Sequence, residues 1–125
     1  MTFPRNETRV ARVKVLLVED HDDVAEMMLV MLDMLGHEAI LAKTVASAVR
    51  LAGAEKFDVV LVDYSLPDGT GDQVIRQIPG CNAILLTAYN HSFLDSKLAG
   101  LNVQFRQKPV DMADLDVAIR QAVAT

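Results

Sequence analysis

The chain has 125 residues, which is the size of a single domain. Its net charge is −5 and no run of lysines or arginines is longer than a pair, so nucleic acid is not expected as a direct ligand. No apolar run approaches the roughly 18 residues that a membrane-spanning helix needs, and the single cysteine, Cys81, cannot form an internal disulfide, which suits a reducing cytoplasm.

The first twelve residues are predicted to form a loose N-terminal extension. They contain three arginines but no apolar segment that leads to a small-residue cleavage site, which argues against a secretory signal. The domain itself is therefore predicted over residues 13–125.

Five strand-like segments alternate with helical patterns along this domain. The strands are predicted at residues 13–18, 38–42, 58–63, 83–87 and 103–105. The central strands are almost continuously apolar, which is typical of strands buried on both faces of a parallel sheet. The alternation therefore predicts an α/β domain with helices covering the sheet.

Apolar residues three and four positions apart predict the helices. These are expected around residues 24–35, 45–52, 74–78 and 94–98, with a last helix after Asp111. Gly36 is expected to end the first helix and Thr44 to cap the second. The methionines of the first helix are expected to fill the core rather than to form a binding surface. They are Met27, Met28, Met31 and Met34.

Polar residues follow the predicted strands at one edge of the sheet. Glu19 and Asp20 follow the first strand, Asp63 ends the third, Thr87 ends the fourth, and Lys108 comes after the fifth. Ligands of open parallel sheets bind beyond the carboxyl ends of the strands. We therefore expect these five side chains to converge on one site.

The residue types in this group fit phosphoryl transfer. Clustered carboxylates repel one another unless a cation intervenes, and a small set of oxygen ligands suits Mg²⁺. A lysine supplies a point charge for a phosphoryl oxygen. A carboxylate can itself be the nucleophile and form an aspartyl-phosphate.

Four motifs, in this order along the chain, resemble the receiver domain of two-component response regulators over roughly residues 12 to 124. They are VLLVEDHDD at 15–23, VVLVDYSLPDGTG at 59–71, ILLTAY at 84–89 and FRQKPV at 105–110. The resemblance implies a flavodoxin-like, doubly wound parallel sheet with strand order 2-1-3-4-5 and five helices.

The resemblance also implies a role for each site residue. Asp63 would be the phosphoacceptor and Lys108 would contact the phosphoryl group. Glu19 and Asp20 would hold Mg²⁺, together with Asp63 and the backbone carbonyl of Ser65.

Four residues would respond to phosphorylation or set its lifetime. Thr87 would move towards the phosphoryl group and Phe105 would then turn inward. Tyr89 and Ser65 stand at positions that tune dephosphorylation in such domains.

The implied partners follow from the same resemblance. A histidine kinase or a phosphotransfer protein would donate the phosphoryl group, docking on the first helix and the loop after the fifth strand. Output would pass by contact to a downstream protein, and a homodimer would form through the fourth helix, fifth strand and fifth helix. The domain would be cytoplasmic. It would not be an enzyme, although it would catalyse its own phosphorylation and dephosphorylation with Mg²⁺.

Two features depart from the family pattern. The stretch between Gly71 and Thr87 is shorter than usual, so the third helix is expected to be trimmed. Phe105 stands where the family often has tyrosine, so a hydroxyl contact to partners would be lost.

Simpler interpretations remain open. Glu19 and Asp20 could merely favour the N-terminal end of the first helix, Asp63 could belong to a turn, and His21 is expected to be a solvated loop residue. For the whole chain, the alternatives are a pseudo-receiver that binds partners without phosphorylation and an aspartyl-phosphate phosphohydrolase.

Overall fold

A computed structural model describes residues 12–88, 98 and 100–124. Five strands form one sheet: β1 (Lys14–Val18), β2 (Glu38–Ala42), β3 (Val59–Asp63), β4 (Ala83–Thr87) and β5 (Val103–Gln107). Four helices occur in this part of the chain: α1 (Asp22–Met34), α2 (Val45–Ala54), α3 (Gly71–Arg76) and α4 (Met112–Val123). A two-residue hairpin pairs Ser65–Leu66 with Gly69–Thr70.

All neighbouring strands of the sheet are parallel, and their order is β2-β1-β3-β4-β5. The predicted fold class and the order 2-1-3-4-5 are therefore confirmed. Val18 pairs with Val62 and Asp63 pairs with Leu86, so the carboxyl ends of β1, β3 and β4 are level. This register sets Glu19, Asp63 and Thr87 at one edge of the sheet.

Alternate residues of each strand enter two hydrophobic clusters, one on each face of the sheet. Leu17 and Leu61 pack with Leu32 of α1 and Leu115 of α4 on the first face. The second face collects the intervening positions of the same strands, with α2 and α3. Every residue of β3 is buried, and this strand lies in the middle of the sheet.

Local signals explain where the helices begin. Thr44 and Ser47 form a reciprocal capping box at the start of α2, which confirms the predicted cap. The Asp111 side chain accepts a hydrogen bond from the Asp114 N–H at the start of α4. Helix α3 has only six residues, as the short stretch before Thr87 predicts. The fourth helix, predicted around residues 94–98, lies outside the described residues except for the buried Leu98.

The prediction that the α1 methionines fill the core is wrong for two of them. Met28 is only 2% exposed, but Met27 is 50% and Met34 66% exposed. Ala25, Met28 and Leu32 occupy the narrow face of α1 that is buried. The apolar pattern of the helix is wider than that face, so Met27 and Met34 remain in solvent.

Two further expectations concern the whole chain. The extension predicted at the N-terminus lies outside the described residues, apart from the exposed Arg12. Among the helices that the structure describes, none is long and apolar enough to cross a membrane.

Candidate functional site

Strands β1 and β3 bring two buried carboxylates together. Glu19 directly follows β1 and is 1% exposed, while Asp63 is the last residue of β3 and is 5% exposed. The parallel pairing of β1 with β3 places these residues side by side. Asp20, the next residue of the chain, is partly exposed at the mouth of the site.

Lys108 supplies the compensating charge. Its Nζ lies 3.1 Å from Asp63 Oδ1 and 3.3 Å from Glu19 Oε1, so one ammonium group joins both buried carboxylates. The backbone holds this lysine in place, because the Lys108 N–H donates a hydrogen bond to the Thr87 carbonyl at the end of β4. The expected convergence of Glu19, Asp63 and Lys108 is therefore observed.

Burial and charge shift the pKa values in this group in different directions. Burial raises the pKa of Asp63 above its ordinary value, and the Lys108 ammonium only partly offsets this. Burial also acts to raise the pKa of Glu19, but hydrogen bonds from His21 and the Lys108 charge bring it below its ordinary value. Burial acts to lower the pKa of Lys108, yet its two carboxylate partners raise it overall. The lysine therefore remains charged.

His21 is exposed, as the sequence predicts for a loop residue, but it also contacts the acid cluster. Its side chain is 64% exposed, but Nδ1 lies 3.1 Å from Glu19 Oε2 and 3.3 Å from Asp20 Oδ1. The His21 backbone N–H also donates to Glu19 Oε2, at 3.0 Å. The hydrogen bond to Glu19 and the nearby acid charges raise the pKa of this imidazole.

The donor set fits a divalent cation. One ligand atom from each of Glu19, Asp20, His21 and Asp63 lies within 4.8 Å of the others. Asp20 Oδ1 is buried and has no hydrogen-bond partner, which is costly for a carboxylate unless a cation or water occupies the adjacent space. The carboxylate oxygens of Asp20, Glu19 and Asp63 are the ligand type that Mg²⁺ prefers.

The remaining predicted site residues surround this cluster. Thr87 is buried at the end of β4, and Phe105 is partly buried in β5, opposite Leu85. Ser65 is exposed and begins the short hairpin, two residues after Asp63. Tyr89 lies outside the described residues.

The loop after Asp63 packs against the backbone of Asp63 itself. A Cβ atom on Gly71 would lie 2.6 Å from the Asp63 carbonyl oxygen and 2.6 Å from Leu85 Cδ1, so only glycine fits this position. The Gly71 N–H donates to the Tyr64 carbonyl, at 2.7 Å. The loop thereby holds the backbone that carries Asp63. The sequence signal for this contact is a second glycine beyond the one that the turn at Gly69 requires.

The same loop also tethers a neighbouring helix. The Asp68 carboxylate accepts hydrogen bonds from the N–H groups of Val45 and Ala46, at 2.7 and 3.0 Å, and so caps the start of α2. These two bonds keep the pKa of Asp68 below its ordinary value. Sequence reasoning missed this role because the partners are more than twenty residues away.

Comparisons with known proteins agree with this geometry. The sequence model of the family described as the response regulator receiver domain matches residues 15–120. The chain is 32% identical over 123 residues to the response regulator protein PilR of Pseudomonas aeruginosa, covering 93% of this chain and 26% of that protein. It is 35% identical over 99 residues to the DNA-binding transcriptional activator DevR/DosR of Mycobacterium tuberculosis, covering 70% of this chain and 44% of that protein.

Solved structures are similar over nearly the whole chain. The receiver domain of the sensor histidine kinase PA1611 from P. aeruginosa has a TM-score of 0.79 and 29% identity, covering 92% of this chain and all of that one. That crystal structure has a magnesium ion coordinated in its active-site cleft. A response regulator receiver domain protein from Clostridium thermocellum has a TM-score of 0.78 and 26% identity, covering 90% of this chain and 94% of that one.

Proposed function

The chain belongs to the response regulator receiver domain family, and from this membership we propose that it is a signalling switch in which Asp63 accepts the phosphoryl group. The donor is the phosphohistidine of a histidine kinase or of a phosphotransfer protein. The proposal includes a cytoplasmic location, which the single cysteine of the chain suits.

One observation carries the proposal: Lys108 bridges Asp63 and Glu19 although all three lie on separate strand ends. A helix cap or a turn does not require a lysine to reach two buried carboxylates from a third strand. The Lys108 ammonium is placed to neutralise charge on an oxygen of a group attached to Asp63.

The chemistry needs only positioning and charge neutralisation from the protein. A carboxylate oxygen of Asp63 forms the new P–O bond while the P–N bond of the donor phosphohistidine breaks, and the electron pair leaves with the imidazole. Lys108 then exchanges one carboxylate contact for a phosphoryl oxygen. The Thr87 hydroxyl lies at the adjacent strand end and donates to a second phosphoryl oxygen.

The acid cluster is proposed to hold Mg²⁺. The ligands are Asp20, Glu19, Asp63 and the backbone carbonyl of Ser65, and water completes the coordination shell. When bound, the ion neutralises the negative charge that the phosphoryl oxygens bring next to three carboxylates. Asp20 Oδ1, which is buried and accepts no hydrogen bond, supports this assignment.

Switching is proposed to pass from Thr87 to Phe105. Phe105 belongs to β5, which pairs directly with the strand that ends in Thr87. A movement of Thr87 towards the phosphoryl group would open space into which the partly buried ring turns. Ser65, and Tyr89 beyond the described segment, are proposed to set the hydrolysis rate of the acyl phosphate.

Two surfaces are proposed for partners. The phosphoryl donor docks where α1 meets the loop after β5, at an apolar hollow of about 240 Å³ lined by Val24, Met27 and Pro109. Output passes by protein contact through β5, α4 and the segment before β5, which also serves a homodimer. The net charge of −5 does not favour direct DNA contact by this domain, although the longer relative DevR/DosR is named as DNA-binding.

The proposal is tested by intact mass spectrometry after incubation with acetyl phosphate. Wild-type protein should gain the mass of one phosphoryl group when Mg²⁺ is present, and should show no gain when a chelator is present from the start of the incubation. Asp63→Asn should show no gain. Asp33→Asn, which removes an exposed carboxylate from the far end of α1, is the control and should behave like the wild type.

The other outcomes distinguish the alternatives. No mass gain, together with no binding of beryllofluoride, would identify a pseudo-receiver. Rapid turnover of acetyl phosphate and of other small phosphate esters, without an accumulating phosphoprotein, would identify a phosphohydrolase.

A further inference from the structure

His21 gives the acid cluster a ligand that oxygen-only magnesium sites lack. The other three members of the cluster are carboxylates, and the imidazole is the only nitrogen donor among the four described residues that could share an ion. Nitrogen from imidazole is a good ligand for Zn²⁺, Co²⁺ and Ni²⁺, whereas Mg²⁺ prefers oxygen. The nature of this fourth residue therefore affects which ion the cluster selects.

The spacing of the donor atoms matches a shared ion. Metal–ligand distances of about 2.1 Å place neighbouring ligands of an octahedral or tetrahedral ion about 3.0–3.4 Å apart. His21 Nδ1 lies 3.1 Å from Glu19 Oε2 and 3.3 Å from Asp20 Oδ1. The second of these oxygens is the buried one that has no hydrogen-bond partner.

The exposure of His21 also fits a ligand role. Its side chain is 64% exposed, so an ion from solvent reaches Nδ1 without opening the core. The Lys108 ammonium contacts Oε1 of Glu19 and Oδ1 of Asp63, whereas His21 Nδ1 contacts the other Glu19 oxygen, Oε2. Lys43 is paired with Asp22.

We propose that His21 Nδ1, Asp20 Oδ1 and a Glu19 carboxylate oxygen form a mixed nitrogen–oxygen site that binds first-row transition ions, of the Zn²⁺ and Co²⁺ type, more tightly than Mg²⁺. The inference rests on the metal site of the proposed function and names the ion class that this site selects. Binding replaces the His21–Glu19 hydrogen bond by two bonds to the ion. The same cluster then serves phosphoryl transfer with either kind of ion.

The test is a comparison of Co²⁺ and Mg²⁺ affinity in the full chain without any phosphodonor, by isothermal titration calorimetry at constant pH. His21→Asn should weaken Co²⁺ binding by about tenfold or more and leave Mg²⁺ binding within about twofold. Asp20→Asn should weaken both ions, and Asp33→Asn should change neither.

A spectroscopic readout locates the ligand. With Zn²⁺, the ¹⁵N resonance of His21 Nδ1 should shift, whereas that of His37, which is buried and accepts a hydrogen bond from the Val13 N–H, should not. Co²⁺ affinity that His21→Asn does not alter, or that Asp20→Asn does not alter, would overturn the inference.

The design separates this inference from the proposed function. If Mg²⁺ binds and Asp63 is phosphorylated, but His21→Asn does not change the Co²⁺ affinity, only the inference fails. If Co²⁺ binds through His21 and no phosphorylation follows with any ion, the proposed function fails while the inference stands. If neither ion binds, both the inference and the magnesium role are wrong.

Discussion

Lys108 Nζ lies 3.1 Å from Asp63 Oδ1, although the two residues are 45 positions apart and β4 separates their strands. The contact depends on the parallel order of the sheet, because only that order brings the ends of β3 and β5 to the same edge. The pair combines a buried carboxylate whose pKa is raised by burial with an ammonium whose pKa is raised by its partners.

Removal of the lysine charge should destabilise the domain in the absence of a divalent ion. Lys108→Met leaves Asp63 and Glu19 buried without their cation, and we expect a loss of about 3 kcal/mol in the free energy of unfolding. Added Mg²⁺ should restore part of this loss, because an ion that binds only the folded state stabilises it. Urea unfolding with chelator and with Mg²⁺ measures both effects.

Lys43→Met is the matched control for this variant. It also removes a lysine charge that pairs with a carboxylate, but the Lys43–Asp22 pair is exposed to solvent. Exposed pairs are screened and contribute little, so this variant should unfold like the wild type. Equal losses for the two variants would mean that the Lys108 bridge has no special energetic role.

Gly71 should be intolerant of any side chain. In Gly71→Ala the new Cβ would press on the Asp63 carbonyl and on Leu85 Cδ1, and we expect a destabilisation of about 1–3 kcal/mol. The displaced backbone should also slow the reaction of Asp63 with acetyl phosphate. Thermal unfolding and the rate of phosphoprotein formation are the two measurements.

Gly53→Ala is a control that should change the stability of the domain in the opposite direction. Gly53 lies in α2 and a Cβ there would meet nothing within 4 Å, so alanine should stabilise the helix by about 0.5–1 kcal/mol. A stabilised Gly71→Ala protein would show that the loop relaxes, and that the close approach does not position Asp63.

Stability should fall at acidic pH because of His37. Its side chain is buried, and burial lowers its pKa; the Asp116 charge opposes this shift, and Arg120 and Arg12 add to it. Below about pH 6.5, the ordinary histidine pKa, the unfolded chain binds a proton that the folded chain takes up only at lower pH. The stabilising contribution is therefore complete above that pH and is lost as the pH falls towards the folded pKa.

His37→Asn tests this prediction. Asparagine offers an oxygen near the position of Nδ1 for the Val13 N–H but does not titrate in this range. The free energy of unfolding should depend less steeply on pH in the variant, between about pH 7.5 and 5. Identical pH dependence in both proteins would exclude His37 as the source.

Thr87 should be needed for the response and dispensable for acceptance of the phosphoryl group. In Thr87→Ala the backbone carbonyl still accepts the hydrogen bond from the Lys108 N–H, so the acceptor geometry is retained. We expect phosphoprotein to form, while the environment of Phe105 no longer changes. Fluorophenylalanine labelling, with Phe105→Leu to assign the signal, reports the ring before and after beryllofluoride. A ring response that persists in Thr87→Ala would contradict the proposed switch.

The strands and helices were predictable because their signals are local, whereas the strand order was implied by the family resemblance. The predicted limits of β2 and β4 match the structure to the residue, and the Thr44 cap lies where the sequence places it. The convergence of Glu19, Asp63 and Lys108 was predictable too, since parallel strands bring their carboxyl ends to one edge.

Three of the missed features depend on contacts between distant segments. The exposure of Met27 is decided by how much of α1 the sheet covers, which the helical period does not specify. The caps that Asp68 provides for α2, and the approach of Gly71 to Asp63, depend on where the loop after β3 runs. His21 is different, because its contact with Glu19 is local. Its side chain is largely exposed, as predicted, but the sequence does not specify that the ring turns towards Glu19.

The most direct test of the central claim is to identify the phosphorylated residue chemically. After reaction with acetyl phosphate and Mg²⁺, borohydride reduces an aspartyl-phosphate to homoserine, which marks the position permanently. Trypsin releases residues 57–76 as one peptide that contains Asp58, Asp63, Asp68 and Asp72, so fragmentation must assign the site. We predict homoserine at position 63 alone. Homoserine at another of these aspartates, or at Asp20, would contradict the account.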